Sequence, residues 1–147
     1  MRMHLLAVGH ARGEVAALYA DYAKRLSWPL TLKEIDVKPA TAAKESVALL
    51  TAVPTGAKIV VCDERGKNMS SEAFASKIGA WRDDGAKDIA FILGGADGHT
   101  DELRNRADLL LSFGQLTWPH MLARVMLIEQ IYRAQQILAG HPYHRGN

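Results

Sequence analysis

Residues 88–98 read Asp88-Ile89-Ala90-Phe91-Ile92-Leu93-Gly94-Gly95-Ala96-Asp97-Gly98, an apolar run that breaks abruptly into a glycine-rich turn. A strand with one wet face alternates apolar and polar residues, whereas this run does not. Continuous apolarity is the mark of a strand covered on both faces by crossover helices. Working outward, Lys58–Cys62 and Asp108–Leu111 have the same character, and Leu5–Val8 ends in Gly9 in the same way. Leu30–Val37 alternates imperfectly and carries Lys33, Glu34 and Asp36, which suits an exposed edge strand.

The stretches between these runs have helical spacing. In Glu14–Leu26, Val15, Leu18, Tyr19, Tyr22 and Leu26 share one face, and Trp28-Pro29 stops the helix. Thr41–Val53 is alanine-rich and helical, ended by Pro54 and Gly56. A polar turn, 63–68, follows Cys62. Ser70 or Ser71 then caps a helix that runs to Asp83, with Phe74, Ile78 and Trp81 on one face. Thr100 caps a short helix whose first turn holds Asp101 and Glu102, suited to the positive end of a helix dipole. Pro119 occupies the first position of a final helix that reaches Ala139. Strands alternating with helices predict an α/β fold: a mostly parallel five-stranded sheet flanked by helices, with 1–147 as one domain.

Composition narrows the function classes. At 147 residues, 48% apolar and 23% charged, the chain has the make-up of a folded globular protein rather than a disordered one. The one cysteine, Cys62, excludes an internal disulfide framework and points to a reducing compartment. No apolar run approaches the roughly 20 residues of a membrane span, and the first nine residues lack a secretory h-region. A cytoplasmic protein is expected. The net charge of +2 neither demands nor excludes a nucleic-acid partner. Arg2, Arg12, Lys24 and Arg25 are candidates for an RNA footprint, or are simply solvated charge.

In parallel sheets, ligands sit beyond the carboxyl ends of the strands. The turn 94–98 can bring its backbone close to a ligand, although it is neither a dinucleotide fingerprint nor a phosphate loop. Ser112–His120 joins the last strand to the last helix. Either it offers an apolar slot with backbone hydrogen bonds, or Phe113, Leu116 and Trp118 tuck into the core. The tail packs His141, Tyr143, His144 and Arg145 into five residues, with groups able to transfer protons, stack on bases and hold phosphate. His120, His141 and His144 lack the cysteine and carboxylate company of a metal site, so no metal is expected. The last helix is apolar over more than one stripe, which suits a core and a partner subunit together. Glu129 and Arg133 form an i,i+4 pair on it among apolar neighbours. Cys62 reads as a core thiol, not a nucleophile.

In order, the chain carries Val-Val-Cys-Asp, Gly-Gly-x-x-Gly, Leu-Thr-Trp-Pro-His, Glu-Gln-Ile-Tyr-Arg-Ala and His-Pro-Tyr-His-Arg. Over nearly its whole length it resembles the RlmH type of SPOUT methyltransferase, enzymes that methylate N3 of a pseudouridine in large-subunit ribosomal RNA. The resemblance implies a C-terminal trefoil knot, a homodimer, and S-adenosylmethionine held in the knot's loops. Carried over by position, the cofactor contacts are Cys62, Gly94, Gly95, Phe113, Gly114, Gln115, Leu116, Thr117 and Trp118. Tyr143, His144 and Arg145 fall on the RNA side. His144 and Glu129 are the candidate bases, and Arg145 the group that holds a phosphate or a developing oxyanion. The chain departs from the family pattern at Cys62 and Trp118, where leucine is frequent, and at Ala96-Asp97, where Pro-Glu is frequent. The implied partner is large-subunit rRNA, within an assembled ribosome. Two alternatives remain: a non-catalytic ribosome assembly factor, and a nucleotide- or flavin-binding doubly wound protein.

Overall fold

In a computed structural model that describes residues 1–145, the elements alternate throughout: β1 Arg2–Val8, α1 Gly13–Ala23, β2 Leu30–Ile35, α2 Ala42–Thr51, β3 Lys58–Asn68, α3 Ser71–Asp83, β4 Asp88–Leu93, α4 Asp101–Asn105, β5 Leu109–Ser112 and α5 His120–Leu138. The five strands form one parallel sheet in the order β2-β1-β4-β3-β5. Every residue of β4 is buried, as its continuous apolarity requires of the central strand. β2 is an edge, which accounts for its charged middle.

Alternate residues of the strands face opposite layers. Met3, Leu5, Val60, Ile89, Phe91 and Leu93 pack on one side with residues of α1, α3 and α5. Leu6, Ile59, Val61, Ala90 and Ile92 pack on the other with Leu49 of α2 and Leu103 of α4. Ser70 and Thr100 cap their helices as the sequence suggests, and Thr41 is a third such cap: each accepts a backbone N–H three residues on.

Several boundaries differ from the sequence reading. Residues 63–68 are not a turn but the continuation of β3. After Cys62 the strand shifts register on β5, so that Lys67 and Asn68 pair with Leu111 and Ser112. Gly66 permits this: a Cβ there would stand 2.7 Å from the backbone of Leu110 and Leu111. A backbone approach this close leaves no hydrophobic pattern to read. β1 begins at Arg2, where Asp88 receives Arg2 and His4. α1 ends at Ala23, and tighter turns through Arg25 and Leu26 follow. Pro119 is the cap residue of α5, one position outside the helix. Among the described residues, no helix is long and apolar enough to cross a membrane.

Candidate functional site

Cys62, Asp63 and Glu64 of β3, at its register shift, and the loops after β4 and β5 close around one cleft of about 600 Å³, within the usual range for a small-molecule site. Cys62, Gly94, Gly95, Phe113, Gly114, Leu116, Thr117 and Trp118 all line it. Gln115 is exposed and lies outside the lining. The 113–118 connection has a defined shape. Ser112 Oγ accepts the Gly114 N–H at 3.1 Å and donates to the Gly114 carbonyl at 3.0 Å. Gly114 sits at φ +110°, a conformation closed to most side chains. The Trp118 indole N–H donates to the Phe113 carbonyl at 3.3 Å. Phe113 packs on the core, but Leu116 and Trp118 do not, being 74% and 42% exposed. Apolar side chains held out over a cleft are what a ligand's flat apolar part needs.

Polar groups that sequence reading passed over stand around this cleft. His99 is buried, and its ring lies against Gly94. Asp63 accepts the Arg65 N–H at 2.8 Å and Arg104 Nε at 2.7 Å. Burial alone would raise the Asp63 carboxyl, yet these two donors hold it below the ordinary carboxylate value. Arg104 also reaches Asp101 at 2.9 Å, and it lines the cleft. Glu45, buried on α2, lies behind Gly95; burial and then Asp97 raise its carboxyl, while His120 opposes them. Arg124 is almost wholly buried, bonded to Glu34 and to the carbonyls of Val8 and Gly9. Arg104 and Asp63 stand 41 residues apart and Arg124 and Glu34 stand 90 apart, so no local spacing announces these two pairs. Burial pushes the Cys62 thiol up to about 12, with Asp63 adding to the effect, so it is no nucleophile near neutral pH.

Glu129, Tyr143 and His144 form a second group. Glu129 Oε1 accepts Arg133 Nε at 3.0 Å, Arg133 Nη2 at 2.6 Å and the Tyr143 hydroxyl at 3.0 Å. Burial, then Glu129, pushes the Tyr143 phenol up to about 12. Arg133 Nη1 donates to His144 Nδ1 at 3.0 Å, which leaves His144 Nε2–H to donate to Glu72 at 2.6 Å. Tyr143 lies edge-on to Tyr132 with centroids 4.8 Å apart. Within one chain this group does not line the first cleft. Glu129 faces a second hollow, of about 620 Å³, on the far side of Phe113 and Gly114. Arg145 is exposed. Of the four footprint candidates, Arg2 pairs with Asp88, and Lys24 and Arg25 pair with Asp21. Arg12 is exposed, just beyond the carboxyl end of β1. Among the described residues, no group of three or more His, Cys, Asp or Glu is placed to hold a metal ion.

Residues 1–144 match a family model described as predicted SPOUT methyltransferase. The chain is 58% identical to ribosomal RNA large subunit methyltransferase H of Rhodospirillum centenum and 52% identical to that of Paracoccus denitrificans, over 99% of both chains in each case. Its fold is shared by a protein of Bordetella pertussis Tohama I described as a probable methyltransferase, with a TM-score of 0.59 at 15% identity, covering 90% of this chain and 95% of that one. It is also shared by a protein of Legionella pneumophila described as a methyltransferase in complex with the bound cofactor SAM, with a TM-score of 0.51 at 15% identity, covering 92% and 66%. At such identities these two likenesses speak for the fold alone.

Proposed function

The chain belongs to the SPOUT methyltransferase family, and from that premise we propose that it transfers a methyl group from S-adenosylmethionine to N3 of a pseudouridine in large-subunit ribosomal RNA. The observation that carries this reading is the convergence of β3 at Cys62 with the loops after β4 and β5, at Gly94-Gly95 and 113–118, on one apolar-walled cleft. The residues present fit the donor. The glycines let backbone line the cleft, since a Cβ on Gly94 or Gly95 would run into His99, or into Val8 and Glu45. When bound, S-adenosylmethionine supplies an electrophilic methyl carbon on a sulfonium.

The chain's own residues orient the reactants and exclude water. Cys62, Gly94 and Gly95 offer backbone groups, while Phe113, Leu116 and Trp118 cover an apolar plane. A second copy of the chain brings Tyr143, His144 and Arg145 to the cleft as the RNA-side wall, and this homodimer belongs to the same reading, as does a trefoil knot in the carboxyl-terminal part. Arg145 holds a phosphate or the base oxygen on which negative charge grows. His144 takes the proton that leaves the target nitrogen at Nδ1, its unprotonated nitrogen, once Arg133 releases it. Both oxygens of Glu129 are occupied by Arg133, Tyr143 and Gln130, so its role is to set those groups in place. A ribosomal surface in the cytoplasm is the substrate. Its shape and multiple contacts make up for a net charge of only +2.

The test incubates the protein with isotopically labelled S-adenosylmethionine and ribosomes lacking the modification, then maps the labelled nucleotide. Label on a pseudouridine of the large subunit is expected. Donor binding without label would leave an assembly factor, and tight flavin or mononucleotide binding would leave the doubly wound ligand-binding reading.

A further inference from the structure

His99 stands just ahead of the α4 cap, at the wall of the cleft, and is 7% exposed. Its Nε2 lies 3.0 Å from the Cys62 carbonyl oxygen. A carbonyl only accepts, so Nε2 carries the proton and donates. Burial lowers the ring's affinity for a second proton and Arg104 adds to that, while the Cys62 bond and Asp63 oppose it. In the neutral ring Nδ1 is a bare acceptor, and it is buried with no hydrogen-bond partner. The Cε1–Nδ1 edge backs Gly94: a Cβ built there would stand 2.7 Å from Cε1 and 3.0 Å from Nδ1.

Two features make this more than packing. A bare acceptor in a protein interior destabilises the fold, and an apolar side chain would fill the space without that cost. Moreover, the β3–β4 ladder ends at the pair Cys62–Leu93, where β4 itself ends and the register of β3 on β5 is interrupted. The His99–Cys62 bond is therefore a tie between these two walls of the cleft at the point where backbone pairing stops.

We propose that His99 is a positioning residue for the methyl donor: it donates Nε2–H to the Cys62 carbonyl and backs Gly94, holding β3 at Cys62 and the turn after β4 at the separation the donor requires. This rests on the donor site proposed above. His99 acts through the backbone it holds.

The test compares the wild type with His99→Leu, His99→Asn and His99→Gln. Glutamine places an amide N–H at the position of Nε2, with its amide oxygen as the acceptor in place of the ring Nδ1, whereas the asparagine amide reaches only the position of Nδ1. Calorimetric titration with S-adenosylhomocysteine is read beside thermal melting and donor kinetics. His99→Leu and His99→Asn are expected to bind about fivefold more weakly, the factor of one net hydrogen bond. Their donor KM rises in proportion, kcat at saturating donor stays within about twofold, and His99→Gln regains wild-type affinity. If the leucine variant does not fold, the asparagine and glutamine pair decides. Equal affinities of those two, or a leucine variant that binds like the wild type, overturn the proposal alone. A fall in kcat with KM unchanged overturns it as well. A wild-type protein that binds no S-adenosylhomocysteine overturns the donor site and this inference together.

Discussion

Replacing Arg124 by leucine tests how the cleft end of the sheet is held. The Arg124 side chain is 1% exposed and binds the Glu34 carboxylate, the Val8 carbonyl at 3.2 Å and the Gly9 carbonyl at 3.1 Å. Leucine leaves two carbonyls without their donor and removes the cation from a carboxylate that keeps the Ala11 N–H. Breaking a fully buried pair costs about 3–5 kcal/mol. Glu34 keeps about a quarter of its side chain in water, so the low end, near 3 kcal/mol, is the expectation. With an m-value of about 1–3 kcal/mol/M, the urea midpoint at pH 7 falls by roughly 1–3 M. The loss also depends on pH. Burial by itself would raise the Glu34 carboxyl, but the Ala11 N–H and Arg124 together place it below its ordinary value. The stability from ionised Glu34 is therefore fully present above the unfolded carboxylate's pKa and disappears as pH falls through the lowered folded value. The deficit of Arg124→Leu should thus be largest at pH 7 and shrink on acidification, and adding Glu34→Gln should recover part of it at pH 7. A loss under about 1 kcal/mol at pH 7, or an equal loss at all pH values, would refute the reasoning.

Arg145→Ala should cut methyl transfer strongly while leaving S-adenosylhomocysteine affinity near wild type; equal loss of both would end the assignment of Arg145 to the RNA side. Gly66→Ala places a Cβ 2.7 Å from rigid backbone of β5 and should cost more than about 3 kcal/mol or abolish soluble expression. Gly79→Ala meets only the mobile Leu138 Cδ2 at 2.8 Å and should cost less than about 1.5 kcal/mol by urea unfolding; similar costs for the two would contradict the close crossing of β3 and β5. With the Cys62 thiol near 12, the thiolate fraction at pH 8 is on the order of one in ten thousand. A disulfide reagent should therefore react with the native protein far more slowly than in urea, and rapid native reaction would show the sulfur to be exposed.

The parts of the fold that were legible are those where one physical signal dominates. β4 could be read because nothing but double-sided burial explains Ile89–Leu93. The caps at Ser70 and Thr100 could be read because a hydroxyl before a helical stretch has a single geometric use. Residues 63–68 could not. A strand normally announces itself through side chains that pack, and here Gly66 has none because the backbone of β5 occupies that space. Charged Asp63, Glu64 and Arg65 beside a glycine look like a turn whether or not the chain bends.

The cleft divides in the same way. Its glycines and its apolar connection stand in contiguous sequence, so they could be found before any fold was known. The groups that hold it could not: His99 meets Cys62 across 37 residues, Arg104 meets Asp63 across 41, and Arg124 meets Glu34 across 90. Each is a polar side chain whose burial is offset in part by a hydrogen bond to a partner distant in sequence, and no local pattern marks it. Leu116 and Trp118 were legible only as a choice. Apolar composition left them between a ligand slot and the core, and a short connection pinned by Ser112 and Gly114 holds them out of the core. Exposed apolar side chains over polar-braced backbone are a costly arrangement for folding alone, and a ligand that covers them when it binds removes that cost.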